Sequence, residues 1–166
     1  MTIICITDGV VAADGSTWQA NGAILVSKTT RKLCRAQDGA VAGCAGGSMN
    51  TQRFRDWFVG SRSYDRQQTP PVFNKDAGLS AVWLEPNGEM WRLDGAGQAY
   101  RLEGQDVAVV GAAGEMALGA MYAGASAEQA VRICVERSDA AGGEVFVEQL
   151  APVGKEPAAG EKHETL

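Results

Sequence analysis

The stretch TIICITDGVVAAD, residues 2–14, decides the architecture. Its first half is rich in β-branched side chains, Asp8-Gly9 is a two-residue hairpin signal, and VVAAD is a second apolar run that ends on a carboxylate. A hairpin over residues 2–14 is therefore predicted. Working outward, NGAILVS and RKLCRAQDGAVAGC read as further short strands, with Asn21-Gly22 and Asp38-Gly39 as turn signals. LSAVWLEPNGEMWRL reads as a second hairpin about Asn87-Gly88, QAYRL and VAVVG as more strands, and EVFVEQL as the last one.

Helical spacing interrupts these strands in two places. Phe54, Trp57 and Phe58 fall at i, i+3 and i+4, the apolar face of a helix that covers a sheet. GEMALGAMYAGA is a helix of small residues suited to close backbone packing. SAEQAVRICVERSD follows it, with Ser126 and Gln129 as a capping box and Ala127, Ala130, Val131 and Cys134 as the buried stripe. SRSYDRQQTPPVFNKD reads as a loop, because Pro70-Pro71 excludes helix and the rest is polar. The order of strands, helix, strands, two helices and strand is α+β: two packed antiparallel sheets with helices on their outer faces.

Composition narrows the functional classes. A chain of 166 residues with 45% hydrophobic residues supports one core, so residues 1–150 form one domain. From about Ala151 the chain turns polar and aperiodic, and residues 151–166 are expected to be disordered. The net charge of −5 offers no basic surface for phosphates, so nucleic acid is not an expected partner. No apolar run is long enough to span a bilayer, and residues 1–15 lack the features of a signal peptide, so no membrane contact and a cytoplasmic location are expected. Cys5, Cys34, Cys44 and Cys134 form no C-x-x-C pair and read as buried reduced thiols, with neither metal nor cofactor expected.

The single histidine, His163, sits in the polar tail, which removes Ser-His-Asp and Cys-His chemistry from the body of the chain. VVGAAGEMALGA follows a strand and opens a helix, but G-x-G-x-x-G from Gly111 would need glycines where Ala113 and Met116 stand. A hydrolase without histidine needs another base. A free α-amine titrates at about 7.7–8.0, and an N-terminal threonine supplies nucleophile and base together. Thr2 becomes that residue if Met1 is removed.

The pieces TIICITDGVVAAD, SKTTRKL, AGCAGG, VVGAAGEMALGAMYAGASAEQAVRI and GGEVFV, in this order over residues 2 to 149, resemble the proteasome β-subunits and the HslV-type peptidases. The resemblance implies the four-layer αββα sandwich of the N-terminal-nucleophile hydrolases and a threonine-type endopeptidase. By that likeness Thr2 is the nucleophile, Asp14 the aspartate closing the second strand, and Lys32 the lysine that lowers the nucleophile's pKa. Gly46 would donate the oxyanion-hole N–H, and Cys44 and Ser48 would line the pocket for the residue before the scissile bond. The implied substrate is a peptide or unfolded protein and the implied assembly a homo-oligomeric ring, with an ATPase partner left open.

The chain also departs from the family pattern. Gly111-Ala112-Ala113-Gly114 replaces a G-S-G whose serine assists the amine. In SDAAGG either Asp139 serves as a further catalytic aspartate or Ser138 takes its place, and the companion serine is missing either way. The 61–75 segment is too short and proline-broken for the family's second helix. Two registers are open for the first strand: one puts Met1 at the nucleophile position, the other puts Thr2 there with a shortened hairpin. A non-catalytic structural subunit and an amidase acting on a small amide are the alternative readings.

Overall fold

The computed structural model describes residues 1–19, 24–68, 70–95 and 97–151. The predicted hairpin is present as β1 (Ile3–Thr7) and β2 (Val10–Asp14). Its turn is tight because Asp8 and Gly9 both take positive φ, 51° and 76°, as a type I′ turn requires. There follow β3 (Thr17–Gln19), β4 (Ile24–Ser27), β5 (Leu33–Arg35) and β6 (Val41–Gly46). Helix α1 (Ser48–Gly60) and the short α2 (Ser63–Gln68) lead to a 3₁₀ turn, Lys75–Ala77. The second half comprises β7 (Leu79–Leu84), β8 (Met90–Asp94), β9 (Gln98–Arg101), β10 (Val107–Gly111), α3 (Gly114–Tyr122), α4 (Ala127–Arg137) and β11 (Val145–Gln149).

Two antiparallel sheets result, ordered β10-β1-β2-β11 and β5-β6-β7-β8-β9, with β3 and β4 forming a separate ribbon. Strand alternation builds the layers. Ile4, Ile6, Val11 and Ala13 point inward and meet Leu33, Val41, Val82 and Leu84 of the facing sheet. Ile3, Cys5 and Ala12 point outward against α3 and α4, where Ala117, Ala127, Ala130, Val131 and Cys134 are completely buried. On the other outer face Phe54 and Phe58 of α1 lie against Trp83, the burial of each phenylalanine contributing about 2–3 kcal/mol. The molecule is an α+β four-layer αββα sandwich, as the element order predicts.

The capping box is present as expected: Ser126 Oγ accepts from Gln129 N and Gln129 Oε1 accepts from Ser126 N. The loop reading of residues 61–76 is corrected by α2 and the 3₁₀ turn. Prolines at 70 and 71 end a helix without preventing one ahead of them, and tertiary contact supplies what periodicity lacks. Arg66, the anchor of α2, is fully buried. It donates to both carboxylate oxygens of Glu85 (2.9 and 2.5 Å), to Asp38 (2.6 Å) and to the Ser61 carbonyl (2.8 Å). The Asn21-Gly22 turn and the tail from residue 152, His163 included, lie outside the described residues.

Candidate active site

One end of the sandwich carries a cluster centred on Asp14, which closes β2 and is completely buried. Five donors converge on it. Oδ1 accepts from Ile3 N (2.9 Å) and Lys32 Nζ (2.6 Å). Oδ2 accepts from Ser16 Oγ (2.6 Å), Ser16 N (3.3 Å) and Gly142 N (3.2 Å). Trp18 Nε1 donates to Ser16 Oγ at 2.9 Å and extends the chain of bonds outward. Both carboxylate oxygens are thus met by donors from three separate stretches of the chain and by a cation.

Lys32, just ahead of β5, is 8% exposed and forms an ion pair with Asp14. Burial is the largest influence on its ammonium and lowers its pKa below the ordinary lysine range, while the field and hydrogen bond of Asp14 pull the other way.

Thr2 is held from both sides through its backbone. Asp14 takes the N–H of the next residue, Ile3, and Ala112 N donates to the Thr2 carbonyl at 2.9 Å. Gly111, opposite Ile3 in the β1–β10 ladder, has φ 121°, and a Cβ there would collide with the Thr2 carbonyl. The Thr2 hydroxyl donates to the Met1 carbonyl (2.7 Å).

A cavity of about 370 Å³ brings Thr2, Lys32, Cys44, Gly46 and Ser48 onto one surface, together with Ser16, Trp18, Thr51, Gln52 and Arg55. Its far wall is the start of α1. Gly46, at φ 142°, sits so close to the 74–78 loop that a Cβ would fall 2.5 Å from the Gly78 carbonyl oxygen. Asn50 fixes this loop, donating to Asn74 O (2.8 Å) and Gly78 O (3.2 Å). Gly47 N is committed to Ala77 O at 2.8 Å. The Cys44 thiol is pushed up to about 12, chiefly by burial, and stays protonated.

Six of the seven site residues expected from the sequence thus meet here, five on the cavity wall and Asp14 behind Lys32. Asp139 does not join them: it is exposed, outside the cavity lining. Ser138 caps the end of α4 and accepts from Ala140 N (3.1 Å). The sequence reading missed Ser16, Gly142 and Asn50. A short-range signal existed only for Ser16, two residues from Asp14; Gly142 lies 128 positions away. Chemically, the cluster brings a cation, Lys32, and a hydroxyl-bearing residue, Thr2, onto one cavity wall and keeps water from most of the Lys32–Asp14 pair. Among the described residues no group of three or more His, Cys, Asp or Glu side chains could hold a metal ion, and no helix is long and apolar enough to cross a membrane.

Neither a protein-family model nor a curated protein matches the chain by sequence. Solved structures do match by shape. HslV from Trypanosoma brucei superposes with a TM-score of 0.62 at 18% identity, covering 89% of this chain and 97% of its own. Thiobacillus denitrificans BPH in complex with epoxomicin gives 0.62 and 18%, over 91% of this chain and 99% of its own. A second structure of Thiobacillus denitrificans BPH gives 0.61 and 18%, over 91% and 98%. The chain has the HslV/proteasome-type fold.

Proposed function

We propose that the chain is a threonine-type N-terminal-nucleophile hydrolase that cleaves peptide bonds, with Thr2 as nucleophile once the Met1–Thr2 bond is cut. The observation that carries this reading is the single carboxylate oxygen, Asp14 Oδ1, that binds both Lys32 and the backbone of the residue after Thr2, just behind a cavity that Thr2 and Lys32 both line. Such a link ties the backbone next to Thr2 to a buried cation through one shared atom. Of the two strand registers, it favours the one that places Thr2 at the nucleophile position.

In this reading the Thr2 hydroxyl attacks the carbonyl of the scissile amide, and its proton passes to the freed α-amine. The Lys32 cation favours the alkoxide character that develops on Oγ. The Gly46 N–H faces the oxyanion, Gly47 being engaged elsewhere. The α-amine returns the proton to the leaving amine, leaving an ester on Thr2, and water attacks that ester with the amine again as base. Cys44 and Ser48 flank the acyl residue. Met1 is 40% exposed, which leaves it open to removal, and its loss frees the Thr2 hydroxyl from the Met1 carbonyl. The working form is a homo-oligomeric ring in the cytoplasm, acting on peptides or unfolded protein. Its test is hydrolysis of fluorogenic peptides by the full chain. Turnover that Thr2→Ala abolishes supports the reading, and turnover unaffected by Thr2→Ala removes it.

One observation favours a second reading. Ala112 meets Thr2 only through its backbone N–H, and the Gly111–Gly114 turn brings no hydroxyl to it. A non-catalytic ring subunit keeps the fold and the Asp14–Lys32 pair and shows no turnover in the same assay.

A further inference from the structure

The charge of the cavity runs against that of the chain. With 20 acidic and 15 basic residues the protein is net negative, yet the cavity is lined by Arg31, Lys32 and Arg55 and by no Asp or Glu. Two of the three cations are already answered. Lys32 pairs with Asp14, and Arg31 with Glu148. Arg55 is not: among the described residues it forms no ion pair, and its NH1 donates to a neutral acceptor, the Arg31 carbonyl, at 2.7 Å. That bond braces one edge of the guanidinium and leaves most of its five donors uncommitted.

The position of Arg55 follows from helix geometry. Ser48, Thr51, Gln52 and Arg55 stand at i, i+3, i+4 and i+7 of α1 and share the face turned to the cavity. Phe54 and Phe58 turn the other way, into the core. Cys44 lies in the field of both Lys32 and Arg55, and all three line the same cavity. The protonated thiol provides no counter-charge. The start of α1, without an acidic residue in its first turn, adds its positive dipole end. A half-buried guanidinium lacking a carboxylate, in a recess beside a candidate nucleophile, is suited to a planar anion in bidentate contact.

We propose that the cavity selects peptides bearing an acidic side chain on the residue whose carbonyl is presented to Thr2, with Arg55 receiving that carboxylate. The proposal rests on the hydrolase reading for the orientation of the peptide and on Arg55 for the selectivity. Neutral and basic side chains at that position leave Arg55 without a partner, and basic ones add repulsion.

Binding tests it without requiring turnover. Acetylated tripeptide amides ending in Glu or Gln are titrated calorimetrically into the full chain carrying Thr2→Ala. The Glu peptide is expected to bind about tenfold tighter or better, as a charge-assisted bidentate contact implies. Arg55→Gln should bring the two peptides within about threefold of each other, and Arg55→Lys should retain part of the difference. Equal binding of Glu and Gln peptides, or a preference that survives Arg55→Gln, overturns the proposal. So does a Gln peptide with a free C-terminal carboxylate that matches the Glu amide, since a chain terminus rather than a side chain would then be the ligand. In parallel, the unsubstituted chain is treated with an epoxyketone. A missing Thr2 adduct with the Glu preference intact removes the hydrolase reading alone, and an adduct without the preference removes this proposal alone.

Discussion

Replacing Asp14 by Asn keeps the shape of the side chain and removes its charge, and the hydrogen bonds around it set the cost. Oδ1 receives Ile3 N and Lys32 Nζ, and Oδ2 receives Ser16 N, Ser16 Oγ and Gly142 N. Whichever way the carboxamide sits, its NH₂ faces at least two donors, and a buried ammonium loses its counter-ion. Removing one partner of a buried pair costs about 3–5 kcal/mol, which for a chain of this size lowers the melting temperature by roughly 6–20 °C. Urea unfolding followed by tryptophan fluorescence at fixed protomer concentration measures it. In the double variant Asp14→Asn/Lys32→Met the uncompensated cation is gone, so the loss should fall at least about 1 kcal/mol short of the summed single losses. A destabilisation by Asp14→Asn under about 1 kcal/mol, or strict additivity in the cycle, would mean that Asp14 and Lys32 are not a coupled buried pair. The pH dependence gives an independent sign. Burial holds Lys32 below its ordinary pKa, so the folded chain binds less proton there than the unfolded chain. The stability of the wild type relative to Lys32→Met should therefore rise with pH through the alkaline window that ends near about 10.4, and a fall in that window contradicts the assignment.

Other perturbations probe the same end of the sandwich. Gly111→Ala forces a side chain into the Thr2 carbonyl at positive φ and should destabilise by more than about 1 kcal/mol while displacing Thr2, read as slower labelling of Thr2 by an epoxyketone. Unchanged stability and labelling would mean that β10 does not hold Thr2. The four cysteines are buried, and burial pushes the thiols of Cys5 and Cys44 up to about 12 and that of Cys34 to about 11. An alkylating reagent at pH 8 should leave the native chain unmodified and label all four after denaturation, by intact mass; rapid labelling of Cys44 in the native chain would contradict the burial of its thiol.

Local signals carried the hairpin, the aromatic face of α1 and the capping box of α4, because each is written within a few residues of itself. Asp8-Gly9 can hardly do anything but turn, and Phe54 and Phe58 share a helix face whatever surrounds them. Helix α2 was not legible. Its anchor is a charged side chain, Arg66, stabilised by Glu85 and Asp38, 19 and 28 positions away, and no apolar periodicity marks it. Strand β3 has only three residues, too few for alternation to register. At the site, family-like spacing pointed to Asp14 and Lys32. The donors that complete the Asp14 cluster, Gly142 above all, are backbone groups brought in by the fold, and a backbone N–H leaves no trace in residue type. Asp139 shows the converse: a fitting residue type near the expected place that the chain turns out to solvent. Arg55 escapes a reading of the sequence because only the folded cavity reveals which cations have answering carboxylates.

The proposed hydrolase depends on Thr2 becoming a nucleophile when the residue ahead of it is lost. Intact-mass and peptide mass spectrometry of the native protein, before and after treatment with an epoxyketone, tests it most directly. The expected result is a chain that starts at Thr2 and carries one adduct there, absent from Thr2→Ala. A chain that keeps Met1 and takes up no adduct at Thr2 would contradict it.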